Sequence, residues 1–153
     1  MSSSQRCLLP DDPARMPRIE PALPGRTVAR RTQGTVAQMR GTAIENQVCL
    51  ALQRRGWAVL QRRAATCCGE IDIVAEHPPS NLIAFIEVKS RATLSDAACA
   101  LSRCQRARLI AAAGILLSQH PEWGDRGIRF DLVAVDGAGR MRRITDAFRI
   151  GDR

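Results

Sequence analysis

Residues 69–91 read GEIDIVAEHPPSNLIAFIEVKSR, two apolar runs with charged residues set into them and a proline-containing turn between. IDIV and LIAFI have the β-branched and aromatic content of strands, and HPPSN supplies the residues of a turn joining them as a hairpin. Side chains alternate along a strand, so Glu70 and Asp72 are expected on one face of the first strand, and Glu87 and Lys89 on one face of the second. A hairpin centred in HPPSN sets Asp72 opposite Glu87 and Glu70 opposite Lys89, with opposed Cβ atoms about 5 Å apart. Two carboxylates that close repel unless a cation lies between them.

A hard divalent ion, Mg²⁺ or Mn²⁺, meets this need, because such ions are held by one or two carboxylates while keeping several waters. Asp72 and Glu87 are then the expected metal ligands. An ion so placed polarises a phosphoryl oxygen and acidifies water beside Lys89. Of the 23 lysines and arginines in the chain, Lys89 alone is lysine. An ammonium is a compact charge whose proton can shift, whereas guanidinium is a wide fork that stays protonated. The competing reading is a surface-facing strand pair in which Glu70 bridges Lys89 while Asp72 and Glu87 are merely solvated. The apolar flanks oppose it, since they make both strands look central and two-sided, where unpaired charge is expensive.

Outward from the hairpin, GTAIENQVCLALQRRG (41–56) places Ile44, Val48, Ala51 and Leu52 on one helical face and ends at Gly56. Glu45 on this helix has two readings: a functional carboxylate, or the last residue of a capping box begun by Thr42. WAVLQRR (57–63) reads as a short strand. A second helix is expected from Ser95 and Asp96 to His120, stopped by Pro121. IRFDLVAV (128–135), the turn DGAG and RMRRIT (140–145) complete a final hairpin. The order α-β-β-β-α-β-β predicts an α/β fold, a mixed β-sheet flanked by helices. Trp57, Phe85, Phe130 and Phe148 sit among apolar neighbours and are expected in the core. Trp123 is the aromatic expected to be exposed, where it could meet a base.

A chain of 153 residues that is 45% hydrophobic supports one core. Residues 1–38 hold five of the eight prolines and no apolar periodicity, so a disordered Arg/Pro-rich tail is expected before a domain over 39–150. No apolar run approaches the roughly 18 residues of a membrane span, and six scattered cysteines without a CxxC pair point to free thiols in a cytoplasmic setting. The net charge of +8 and pI near 10.4 call for a polyanionic partner, nucleic acid first. Arg91, Arg103, Arg106 and Arg108 are the candidate contacts. The oligomeric state is open, a homodimer included.

GEIDIVA followed by FIEVKSR, with Glu45 upstream and RFDLVAV and ITDAF downstream, resembles the YraN-like family of uncharacterised bacterial proteins over residues 39–150. That family is similar to the restriction-endonuclease-like PD-(D/E)xK superfamily, which includes Holliday junction resolvases. The resemblance implies Asp72 as the motif aspartate, Glu87 as the second acid, Lys89 as the motif lysine and Glu45 as the helix-borne glutamate, together the expected catalytic set. It implies a Mg²⁺-dependent endonuclease acting on DNA, with branched or damaged DNA as substrate. A nucleic-acid-binding protein that cleaves nothing is the alternative on the same fold. Two departures stand out: Ile71 occupies the place of the superfamily's proline, and Cys104 or Gln105 stands where the family carries a helical lysine.

Overall fold

In the computed structural model GEIDIVAEH and LIAFIEVKS are adjacent antiparallel strands, β2 (Gly69–His77) and β3 (Leu82–Ser90), joined by the expected turn. The structure describes residues 26–125 and 127–151, with side chains from residue 38 onward, so most of the expected tail and Cys7 lie outside the described residues. β1 (Ala58–Thr66) flanks β2, and β4 (Ile128–Val135) and β5 (Met141–Phe148) follow β3, giving a five-stranded sheet in the order β1-β2-β3-β4-β5. All neighbours are antiparallel except β3 and β4, which are parallel. A parallel pair needs a crossover, and α2 (Leu94–Ala98) and α3 (Arg103–Gln119) supply it. The fold is thus the expected mixed α/β sheet flanked by helices. Among the described residues no helix is long and apolar enough to cross a membrane.

Both faces of the sheet are covered, which is why its central strands read as apolar runs. Val48, Cys49 and Leu52 of α1 (Arg26–Gln53) pack on Ile73, Ala84, Ile86 and Val133. On the other face, Leu109, Ala112, Ala113 and Leu116 of α3 pack on Val74, Ile83, Phe85 and Phe130. Phe85, Phe130 and Phe148 stack in series with centroid separations of 5.6 and 4.8 Å. Trp57 is half-buried, and so is Trp123, which stacks on His120 at 3.9 Å and packs against the α3-side core rather than standing free.

Two helix boundaries differ from the sequence pattern. α1 begins at Arg26 and runs unbroken, because no proline interrupts it, so Thr42 lies mid-helix. Its hydroxyl donates back to the Gln38 carbonyl at 3.1 Å, and the capping reading of Glu45 falls. The expected helix from Ser95 to His120 is two helices. Thr93 caps α2, accepting from the Asp96 N–H, and Ser102 starts α3 with a capping box whose partner is Gln105.

In the middle of β4, opposite Ile86 of β3, Asp131 is fully buried. It accepts from Arg129 Nε at 2.9 Å, Arg143 Nε at 2.8 Å and the Asp146 N–H at 2.9 Å. The two guanidinium groups lie 5.2 and 4.0 Å from the Trp57 ring centroid. Removing one partner of a buried ion network leaves the other charge uncompensated. Asp131→Ala is therefore expected to lower stability by about 3–5 kcal/mol in urea denaturation; a loss below about 1 kcal/mol, the range of an exposed pair, would contradict the role given to this network.

Candidate active site

The β2–β3 ladder runs from His77–Leu82 to Ile73–Ile86, the register expected from the turn, and stops there. Beyond that rung β2 stays paired with β1, as Ile71 with Ala64 and Glu70 with Ala65, while β3 stays paired with β4 from Glu87–Leu132 to Ser90–Val135. The strands fork, and Asp72 and Glu87 are the first residues past the last shared rung. The fork would leave the Val88 N–H without a strand partner. Asp72 Oδ2 takes it at 2.7 Å.

Lys89 Nζ donates to Glu87 Oε1 at 2.5 Å, with these side chains only 14% and 12% exposed. Glu70 does not bridge Lys89. Its carboxylate accepts from Arg63 Nε of β1 at 3.0 Å. Glu45 of α1 completes the group; Arg62 Nη2 donates to Asn46 Oδ1 at 2.5 Å, tying α1 to β1 one residue further on. Glu45 Oε2 is buried with no hydrogen-bond partner.

The electrostatics follow from this gathering. Burial raises the Asp72 carboxyl above its ordinary range and Glu70 adds to it, opposed by the Val88 N–H, Lys89 and Arg63. Burial likewise raises Glu87, with Asp72 adding to it and Lys89 opposing. Glu45 is raised by burial and by Asp72, with Arg63 and Arg62 opposing. Three carboxylates are thus poorly neutralised by the protein itself.

A cleft of about 190 Å³ opens here between Gly69, Glu70 and Glu87 of the sheet and Gln105, Arg108 and Leu109 of α3. Gly69 has φ +152°, which disfavours a side chain, and α3 comes close enough that a Cβ there would touch Arg108 Cβ at 3.8 Å. Of the arginines considered for nucleic acid, Arg108 lines the cleft and Arg103 is exposed beyond it. Arg106 turns away to lie 5.9 Å over Phe148. Arg91, exposed just past β3, donates from Nη1 to the Ser90 carbonyl at 2.7 Å. Of the two residues expected at the helical lysine's place, Gln105 holds the Ser102 N–H through its side chain at 3.1 Å, and Cys104 is exposed. The sequence pattern missed Arg63, because a charged residue in QRRAAT carries no sign of its partner.

Among the described residues no three His, Cys, Asp or Glu side chains stand, as they rest, close enough to enclose a metal ion. Asp72 and Glu87 are a pair, and a pair suffices for an ion that keeps waters and substrate oxygens in its shell. Their shared burial and the orphaned Glu45 oxygen are the marks of a site short of positive charge, so the donor set fits Mg²⁺ or Mn²⁺.

By fold and site, the molecule is a mixed α/β protein with acidic groups and one lysine gathered where two central strands diverge. Residues 44–135 match the Uncharacterised protein family UPF0102, and the chain belongs to that family, the YraN-like family of the sequence resemblance. A UPF0102 protein of Granulibacter bethesdensis is 52% identical over 120 residues, 78% of this chain and 75% of the relative. One from Rhodopseudomonas palustris is 37% identical over 135 residues, covering 88% and 96% respectively. Another, from Ruegeria pomeroyi, is 37% identical over 123 residues, covering 80% and 98%.

The raised carboxyls carry a stability signature. Between about pH 4, where free carboxyls titrate, and the raised native values, the folded state binds more protons than the unfolded state. Stability contributed by this pair therefore falls as pH rises through that window, and above about pH 4 the two carboxyls oppose folding. Asp72→Asn and Glu87→Gln are expected to melt higher than the wild type at pH 7 without added metal, the gain vanishing near pH 4. Lower melting at pH 7 for both variants would show the pair to be stabilising and the reading wrong.

Proposed function

We propose that this protein is a Mg²⁺- or Mn²⁺-dependent nuclease acting on DNA, with branched or damaged DNA as its substrate class. The observation that carries the reading is the meeting of Asp72, Glu87 and Lys89 at the strand fork, with Lys89 Nζ on Glu87 Oε1 and Asp72 fixed by the Val88 N–H. Asp72 and Glu87 would hold the ion, which supplies Lewis acidity toward a phosphodiester oxygen. Lys89 would donate to the reacting oxygen once its bond to Glu87 loosens. Arg108, which makes no ion pair among the described residues, offers a guanidinium to a phosphate entering the cleft. The net charge of +8 and the resemblance to restriction-endonuclease-like proteins support the same reading.

The satisfied Lys89–Glu87 pair also supports a second reading, a nucleic-acid-binding protein that cleaves nothing. Labelled single-stranded, duplex and branched DNA, each incubated with Mg²⁺, Mn²⁺ or EDTA, separates the two. Nuclease action predicts EDTA-sensitive cleavage. Arginine keeps the charge of Lys89 but is broader, so Lys89→Arg is expected to bind DNA as the wild type does and to cleave at least about tenfold more slowly, roughly 1.4 kcal/mol of transition-state stabilisation. No cleavage by the wild type on any substrate, with salt-sensitive binding retained, would leave the binding reading in its place.

A further inference from the structure

Arg63 is a non-glycine residue in the middle of a strand with φ +49°, in the left-handed region that only Gly, Asn and Asp visit routinely. It is also the residue facing Asp72. The β1–β2 ladder contains Arg62–Ile73 and Ala64–Ile71, but the rung Arg63–Asp72 between them is missing. At the same point the alternation of β2 fails. Ile73 and Ala75 pack beneath α1, so strict alternation would put Ile71 with them, yet Ile71 is buried in the α3-side core together with Val74. The strand therefore turns over at Asp72, and the carboxylate, instead of following Val74 beneath α3, reaches sideways to the Val88 N–H across the fork.

We infer that Arg63 is a positioning residue whose left-handed backbone turns β2 at Asp72 and so sets that carboxylate into the fork beside Glu87. The inference rests on Asp72 being part of the working site, but its geometry does not depend on which reaction the site performs. The Arg63 side chain adds to the arrangement by holding Glu70 at 3.0 Å, on the next outward position of the same strand. Strained residues persist where surrounding structure fixes them and cluster at functional sites. Here the strain sits directly across from the residue it would orient.

The test separates backbone from charge. Gly and Asn accept left-handed geometry without a charge; Lys keeps the charge with no better geometry than Arg; Val, β-branched, resists the conformation most. The first readout is hydrogen-exchange protection of the Val88 amide by NMR, a bond that Asp72→Ala must remove. Arg63→Gly and Arg63→Asn are expected to keep that protection, and Arg63→Val to lose it with the sheet otherwise folded. The second readout is Mn²⁺ binding by calorimetry, which Arg63→Val should weaken by about tenfold to a hundredfold, as loss of an orienting contact does. Should Arg63→Val not fold, Arg63→Ala takes its place, with partial loss of both readouts expected. Protection kept in the β-branched or alanine variant, or lost in Gly and Asn but kept in Lys, would overturn the inference. A wild type that binds no Mn²⁺ would sink the metal reading alone, and the Val88 amide would still decide the role of Arg63.

Discussion

A β-sheet cannot separate a pair of hydrogen-bonded strands without leaving backbone groups in need of partners, and in this protein that need arises between Ile73 and Val88. β2 follows β1, β3 follows β4, and a carboxylate fills the gap where the ladder ends. The same divergence draws Glu87 and Lys89 into a place too dry to solvate them freely. Each unit of charge placed there costs stability unless matched, and the raised carboxyls show that the protein's own cations match it incompletely. The fork is therefore both a break in the sheet's pairing and a place where charge is concentrated.

The remainder of the fold serves to hold that opening in place. α1 and α3 cover opposite faces, so neither central strand can shift without exposing Ile73, Ile86 or Phe85. One strand over from the fork, on the rung of Ile86, Asp131 clamps β4 to β5 through Arg129, Arg143 and the Asp146 amide. The contrast between these neighbouring sites is informative. Asp131 is surrounded by donors, whereas Asp72 adds to the burial that raises Glu45 and Glu87, and Glu45 Oε2 is left without a partner. Around Asp131 a buried carboxylate meets two guanidinium groups, whereas at the fork Asp72 and Glu87 share one lysine between them.

The hairpin register is legible in the sequence because strand alternation has a period of two and the turn residues fix its centre; Ile73–Ile86 lies on the expected axis. The meeting of Asp72 with Glu87 follows from that register. What cannot be read is the departure from regularity. Arg63 is a residue type that gives no warning of a left-handed backbone, so the sequence pattern ends β1 too early and pairs Glu70 with the wrong cation. Leu101 continues the apolar pattern across the break between α2 and α3, hiding a cap that depends on the side chains of Ser102 and Gln105. Thr42 imitates a helix start because its sequence context, with glutamate three residues on, is shared by true caps and by this mid-helix position. Arg106 and Arg108 differ by two places in sequence, about 200° around a helix, which is why one reaches the cleft and the other lies over Phe148.

The central claim, that the fork gathers acidic groups to receive a divalent cation, is tested most directly by adding Mn²⁺ to the isotope-labelled protein and following paramagnetic broadening of its amide signals. The account predicts that Asp72, Ile73, Val88 and Lys89 broaden first, at a stoichiometry near one ion, and that EDTA restores them. Broadening that begins elsewhere, or that spreads evenly over the acidic surface with the fork signals unaffected, would contradict it.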